Sequence, residues 1–247
     1  MKMKKILTAG ALVKEVIYTR AAGREPAKVR AAKRKASTEA QQLMNAKYSW
    51  QKLELMLAAN FVPGDLVVTL TYDDEHLPKT REAAVARLKK FRADLTAARR
   101  QRGQEMRMIW TTENATGIGR WHHHVVINTT GDDYAEIARL WDCGGELEIR
   151  KLQADREKNY ESLARYMCKE ARERPGLRSW SYTRSCRHPE VEVFPVPDDT
   201  ELAAPEDAIL MEDVAKRTEY GSFHFIKYLA ADAKTLRRQR PKPRRRR

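Results

Sequence analysis

The run Trp121-His122-His123-His124-Val125-Val126-Ile127-Asn128 constrains this chain more than any other stretch. Its apolar, β-branched body, led by three histidines, predicts a buried strand. Side chains alternate between the faces of a strand, so His122, His124, Val126 and Asn128 point one way while His123, Val125 and Ile127 point the other. Two imidazoles therefore converge on one face. Neutral imidazole is the commonest protein ligand for a divalent metal, and two of them one pleat apart can share a cation that a carboxylate from a neighbouring strand completes. A histidine cluster merely tolerated at a sheet surface is the competing reading.

The carboxylate is at hand. A strand is predicted over Met106-Arg107-Met108-Ile109-Trp110, and Thr111 to Arg120 runs from it straight into the histidines. Glu113 closes that first strand, and a connection containing Gly117 and Gly119 folds the second strand back beside it, which brings Glu113 towards His122 and His124.

Three motifs in order then carry a resemblance. Asp65-Leu66-Val67-Val68-Thr69-Leu70-Thr71-Tyr72 is the first, Gly119-Arg120-Trp121-His122-His123-His124 the second, and Tyr166-Met167-Cys168-Lys169-Glu170 the third. Together they resemble the HUH superfamily of replication initiators and relaxases, and more closely the replication-associated proteins of small single-stranded DNA phages and related prophage elements. The resemblance covers roughly residues 60 to 195. His123 departs from the usually hydrophobic middle position, and Tyr160 and Tyr166 lack the spacing of the two-tyrosine subclass. What the resemblance implies is an HUH-type endonuclease and strand transferase of rolling-circle replication. His122, His124 and Glu113 would hold Mg²⁺ or Mn²⁺, Tyr166 would be the nucleophile with Lys169 supporting it, and the product would be a 5′-phosphotyrosine on origin single-stranded DNA. Helical spacing agrees on the tyrosine. At about 100° per residue, Tyr160, Leu163, Ala164 and Met167 gather on one face, whereas Tyr166 lies roughly 120° away, on the side of Lys169.

Charge points to the same partner. The net +14 is uneven: residues 1–60 hold thirteen Lys/Arg against four acids, and residues 236–247 hold eight against none. A polyanion is the expected ligand. Lys89, Lys90, Arg120, Arg165, Arg184 and the run Arg244, Arg245, Arg246, Arg247 are the candidate DNA contacts. Three cysteines, Cys143, Cys168 and Cys186, have no paired spacing, which argues against a disulfide framework and for a reducing cytoplasm, the host's if the chain is viral. The start, Met1 to Val13, imitates a signal peptide, but Lys14 and Glu15 cut its apolar run short, and no stretch is long enough to span a membrane. There is no phosphate loop ending in Gly-Lys-Ser/Thr, hence no sign of a fused helicase. Host replication proteins are conceivable partners.

The expected architecture is α+β: an antiparallel sheet of about five strands packed with helices, flanked by basic extensions. The expected division is a basic helical region over 1–60, including Lys28 to Lys35 and a helix over 38–59, and an endonuclease domain over 61–197. An acidic linker and docking segment follow over 198–235, then a basic tail over 236–247. Within the body, helices are expected over 80–102, from Asp132 or Asp133 onward and over 157–172. A strand is expected over 146–150, and strands 179–183 and 191–194 are expected to pair with each other. Segment 198–213 reads as a linker or acidic helix, and 219–230 as an apolar segment docked on the body. Two other functions fit the same residues: a non-enzymatic basic nucleic-acid-binding protein, and a metal-dependent nuclease that uses water.

Overall fold

The structure is a computed structural model, and it describes residues 1–19, 39–114, 119–131, 133–155, 159–169, 179–218 and 221–231. The chain forms two units, Ser37–Arg187 and a second made of Met1–Ala36 with His188–Arg247. The basic stretch Lys28 to Lys35, Gly117, Asp132 and Arg244 to Arg247 lie outside the described residues.

The unit Ser37–Arg187 is built on five antiparallel strands: β3 (Leu66–Leu70), β4 (Met108–Glu113), β5 (His122–Ile127), β6 (Leu147–Lys151) and β7 (Ser181–Tyr182), in the order β6-β3-β5-β4-β7. The histidine strand is central, between β3 and β4. Its apolar residues split by parity. Val125 and Ile127 join Leu66, Val68, Leu70 and Met108 in a core with Leu88, Phe91 and Leu95 of helix α2 (Arg81–Gln101) and Ile137 of α3 (Asp133–Leu140). Val126 and Ile109 face the opposite core, with Leu53, Met56 and Leu57 of α1 (Glu39–Asn60) and Ala164 and Met167 of α4 (Glu161–Met167). Helices thus cover both faces of the sheet, and α1 and α4 are held on the face to which His122 and His124 point.

α2 starts where Thr80 Oγ1 accepts from the Ala83 amide at 3.2 Å, an N-cap bond. Its other end is fixed by a buried ion pair. Arg99 Nη2 donates to Asp133 Oδ1 at 2.7 Å and Nη1 to Asn128 Oδ1 at 3.0 Å, with Arg99 fully buried. Asp133 also accepts from Thr130 N and from the Thr129 and Thr130 hydroxyls, each at 2.7 Å. Breaking a buried pair leaves an uncompensated charge. Asp133→Ala is therefore expected to destabilise the unit by about 3–5 kcal/mol in urea denaturation; a loss under about 1 kcal/mol would show that the pair is dispensable.

The second unit is where expectation and structure part. Its five antiparallel strands are β1 (Lys2–Ala9), β2 (Leu12–Thr19), β8 (Glu190–Val196), β9 (Ile209–Thr218) and β10 (Gly221–Leu229), in the order β8-β1-β2-β10-β9. Residues 2–19 are a hairpin and not a helical arm: Ala9 pairs with Leu12 across Gly10, whose φ of 58° suits glycine in a two-residue loop. Strand 191–194 pairs with β1 and strand 181–182 with β4, because the unit boundary falls between them. Within the acidic segment 198–213 the strand β9 begins at Ile209, and the apolar segment after residue 219 is β10, paired to β2 and β9. Val13, Ile17, Ile226 and Tyr228 form this unit's core with Leu202. Among the described residues no helix is long and apolar enough to cross a membrane.

Candidate metal centre and tyrosine

Pairing between β4 and β5 sets Glu113 directly opposite His122 and Thr111 opposite His124, so residues distant in sequence meet at one end of the sheet. Glu113 Oε1 gathers three donors: His122 Nε2 at 3.1 Å, His124 Nε2 at 2.5 Å and Lys169 Nζ at 3.0 Å. One ligand atom from each of Glu113, His122 and His124 lies within 4.8 Å of the others. Burial works to raise the Glu113 pKa, but the bonds from His122 and His124 outweigh it and hold the carboxyl well below the usual range. The same carboxylate raises His122, and against partial burial it raises Lys169.

The far nitrogens of the two imidazoles have partners of their own. His122 Nδ1 lies 3.1 Å from the Arg120 carbonyl, an acceptor only, and His124 Nδ1 lies 3.4 Å from Thr69 Oγ1. A cation that took the place of the Nε2 protons would leave each Nδ1 bonded outside the cluster, which is how metal-binding histidines are oriented. Two imidazole nitrogens and a carboxylate oxygen converging in this way fit a divalent cation.

His123 points to the other face, as alternation requires. Burial is the main reason its pKa falls to about 3, so it is neutral. Tyr72 Oη donates to the Ala84 carbonyl and lies 2.7 Å from His123 Nε2, while His123 Nδ1 lies 2.9 Å from Thr112 Oγ1. Tyr72 and Thr112 thus bracket the two ring nitrogens of His123. Trp141 packs edge-on to both rings. This anchor was missed in the sequence. His123→Leu is expected to leave the metal ligands in place and to cost about 1–3 kcal/mol, because it strands the buried Thr112 hydroxyl; an unchanged denaturation midpoint would argue that the anchor does nothing.

α4 supplies the remaining groups. Tyr160, at its N-cap, is buried and bonds the Phe61 carbonyl at 3.4 Å. Tyr166 is 47% exposed, with its hydroxyl 3.1 Å from His124 Nε2, and Lys169 Nζ sits 4.3 Å from the Tyr166 ring centroid.

Residues 65–173 match a family model for replication-associated proteins of the ORF2 type. Over that segment the chain is similar to the family. The matched span contains every residue of the cluster, and the histidine pair with its glutamate fits a rolling-circle replication initiator. Neither the curated proteins nor the solved structures gave a match. In the unit Ser37–Arg187 the candidate DNA contacts are placed unequally. Arg120 is tied to Asp74 and the Tyr72 carbonyl, Lys90 to Asp94 and Asp142, and Arg165 to Glu161 and the face of Trp50. Lys89 is exposed on α2, and Arg184 is exposed in the turn after β7.

Proposed function

We propose that the protein initiates rolling-circle replication by nicking and rejoining single-stranded DNA through a covalent bond to Tyr166. The observation that carries this reading is the Tyr166 hydroxyl 3.1 Å from His124 Nε2, one of two imidazoles converging on Glu113. Mg²⁺ or Mn²⁺ held by His122, His124 and Glu113 would polarise the scissile phosphate and offset charge in its transition state. Tyr166 attacks phosphorus: its O–P bond forms, the P–O3′ bond breaks, and the proton given up by the phenol balances the one gained by the departing 3′-oxygen. A 5′-phosphotyrosine and a free 3′-hydroxyl result. Lys169, bridging the Tyr166 ring and Glu113, offsets negative charge on the phenolic oxygen. Because the adduct conserves the phosphodiester, a 3′-hydroxyl can displace Tyr166 and reseal the strand without ATP.

The test is a denaturing gel of the protein incubated with labelled single-stranded DNA and Mg²⁺ or Mn²⁺. A protein–DNA band that survives denaturant is expected. Cleavage without that band would point to water as the nucleophile, and neither product would reduce the protein to a DNA binder.

A further inference from the structure

A second basic feature lies on the same unit, away from the triad. An open groove of about 1040 Å³ runs between the C-terminal half of α2 and the turn after β7, lined by Arg92, Thr96, Arg100, Tyr182, Thr183 and Arg184. Its three guanidiniums differ from most of those nearby. Arg99, Arg102, Arg107 and Arg120 each have a carboxylate within ion-pair distance, but Arg92, Arg100 and Arg184 have none among the described residues. Three unneutralised cations along one groove attract a polyanion, and an open groove of this volume suits an extended chain of phosphates better than a single one.

The aromatics beside it say which part of the polyanion. Arg92 lies over the Trp110 ring at 5.4 Å from its centroid, and Tyr182 packs against Trp180 at 5.7 Å between ring centroids. Each thus has a ring or guanidinium partner already, whereas single-strand binders offer open faces on which bases stack. What remains is guanidinium and hydroxyl, the chemistry of sugar–phosphate contacts that fix position without reading sequence. Distance supplies the rest. Tyr182 pairs with Ile109, four residues along β4 from Glu113, and at about 3.4 Å per residue that is about 14 Å. One strand of B-form DNA covers that in roughly four nucleotides, at about 3.4 Å each.

We propose that the Arg92–Arg100–Arg184 groove binds the phosphodiester backbone of a double-stranded segment flanking the nick, and so holds the single strand in register at the triad. The proposal rests on the reading of the triad as a DNA-nicking site. The arginines belong to α2 and the turn after β7, and the triad to β4 and β5, so the arginines can be changed without touching the reacting groups.

The experiment compares the full-length protein with R92Q/R100Q/R184Q and R92K/R100K/R184K by fluorescence anisotropy over a salt series. One probe is a hairpin stem with a single-stranded tail, and the other is the tail alone. On the stem–tail probe the glutamine variant is expected to lose about 2–3 from the log–log salt slope, near 0.9 for each phosphate no longer neutralised. The slope on the tail should hold, and the lysine variant should retain most of the wild-type slope. An unchanged slope on the stem–tail probe, or an equal fall on both probes, overturns the proposal. Absence of a covalent adduct in the wild-type protein would count against the nicking reading alone, since the binding slopes remain readable without chemistry.

Discussion

Tyr166→Phe is expected to eliminate the covalent protein–DNA adduct while the protein folds, binds metal and binds DNA nearly as before. The substitution removes one hydroxyl from a half-exposed side chain and leaves the ring under Lys169. The fold loses the bonds to His124 and Lys169, each about 1 kcal/mol or less at such an exposed site. The reaction loses its nucleophile, and changes of that kind lower rates by at least about 10³-fold. Tyr160→Phe is the informative partner. Tyr160 is buried at the start of α4 with its hydroxyl on the Phe61 carbonyl, and burial raises its pKa to about 12, so it is neither accessible nor readily ionised. Its phenylalanine variant should lose about 1 kcal/mol of stability and still form the adduct. Mass spectrometry of the trapped species decides between them: a nucleotide on Tyr160, or an adduct persisting in Tyr166→Phe, would reverse the assignment.

The division between the two tyrosines was legible in part from helical period, although α4 is Glu161–Met167 and not the expected 157–172, with Tyr160 at its N-cap and Lys169 beyond its C-cap Cys168. The facing of His122 and His124 was legible because it depends only on the strand period. Both are local rules. The position of Glu113 needed one further step, a hairpin of the right register, and the pairing Glu113 to His122 supplies it. Lys169 beside Glu113 was not legible, because that contact joins a helix to a strand and depends on how α4 is seated by the core it shares with α1. Arg99 shows a signal that was present but unused. It follows Leu88 and Leu95 at helical spacing, on the stripe that packs inward.

The second sheet escaped for a different reason. Lys5 pairs with Val193, and Glu15 with Ile226, so its strands come from before and after the unit Ser37–Arg187. Pairings that distant leave no local trace. The alternation in Phe223, Phe225 and Lys227 against His224, Ile226 and Tyr228 fits a strand, but without a visible neighbour it read as a segment docked on the body. At the other end, the lysines of β1 masked its strand character by imitating a leader peptide.

Glu113→Ala, His122→Ala and His124→Ala are each expected to reduce nicking by more than about 10²-fold, as does loss of one group that stabilises transition-state charge. DNA affinity should stay close to wild type, since Lys89, Arg92, Arg100 and Arg184 lie on α2 and in the turn after β7. Glu113 matters most because its single oxygen Oε1 holds both imidazoles and Lys169. Removing it takes away one ligand and leaves three potential cations facing one another, so a divalent ion meets repulsion where it met a carboxylate. Glu113→Gln separates these effects, because it keeps the shape and hydrogen-bonding oxygen but not the charge. If charge holds the metal, Glu113→Gln should bind Mn²⁺ as poorly as Glu113→Ala in electron paramagnetic resonance titrations. If the oxygen alone suffices, the glutamine variant should recover part of the affinity. Each histidine variant should weaken Mn²⁺ binding in parallel with its loss of nicking, whereas His123→Leu, on the opposite face, should bind as wild type. Loss of Mn²⁺ in His123→Leu together with its retention in His122→Ala or His124→Ala would show that β5 presents the opposite face to the metal.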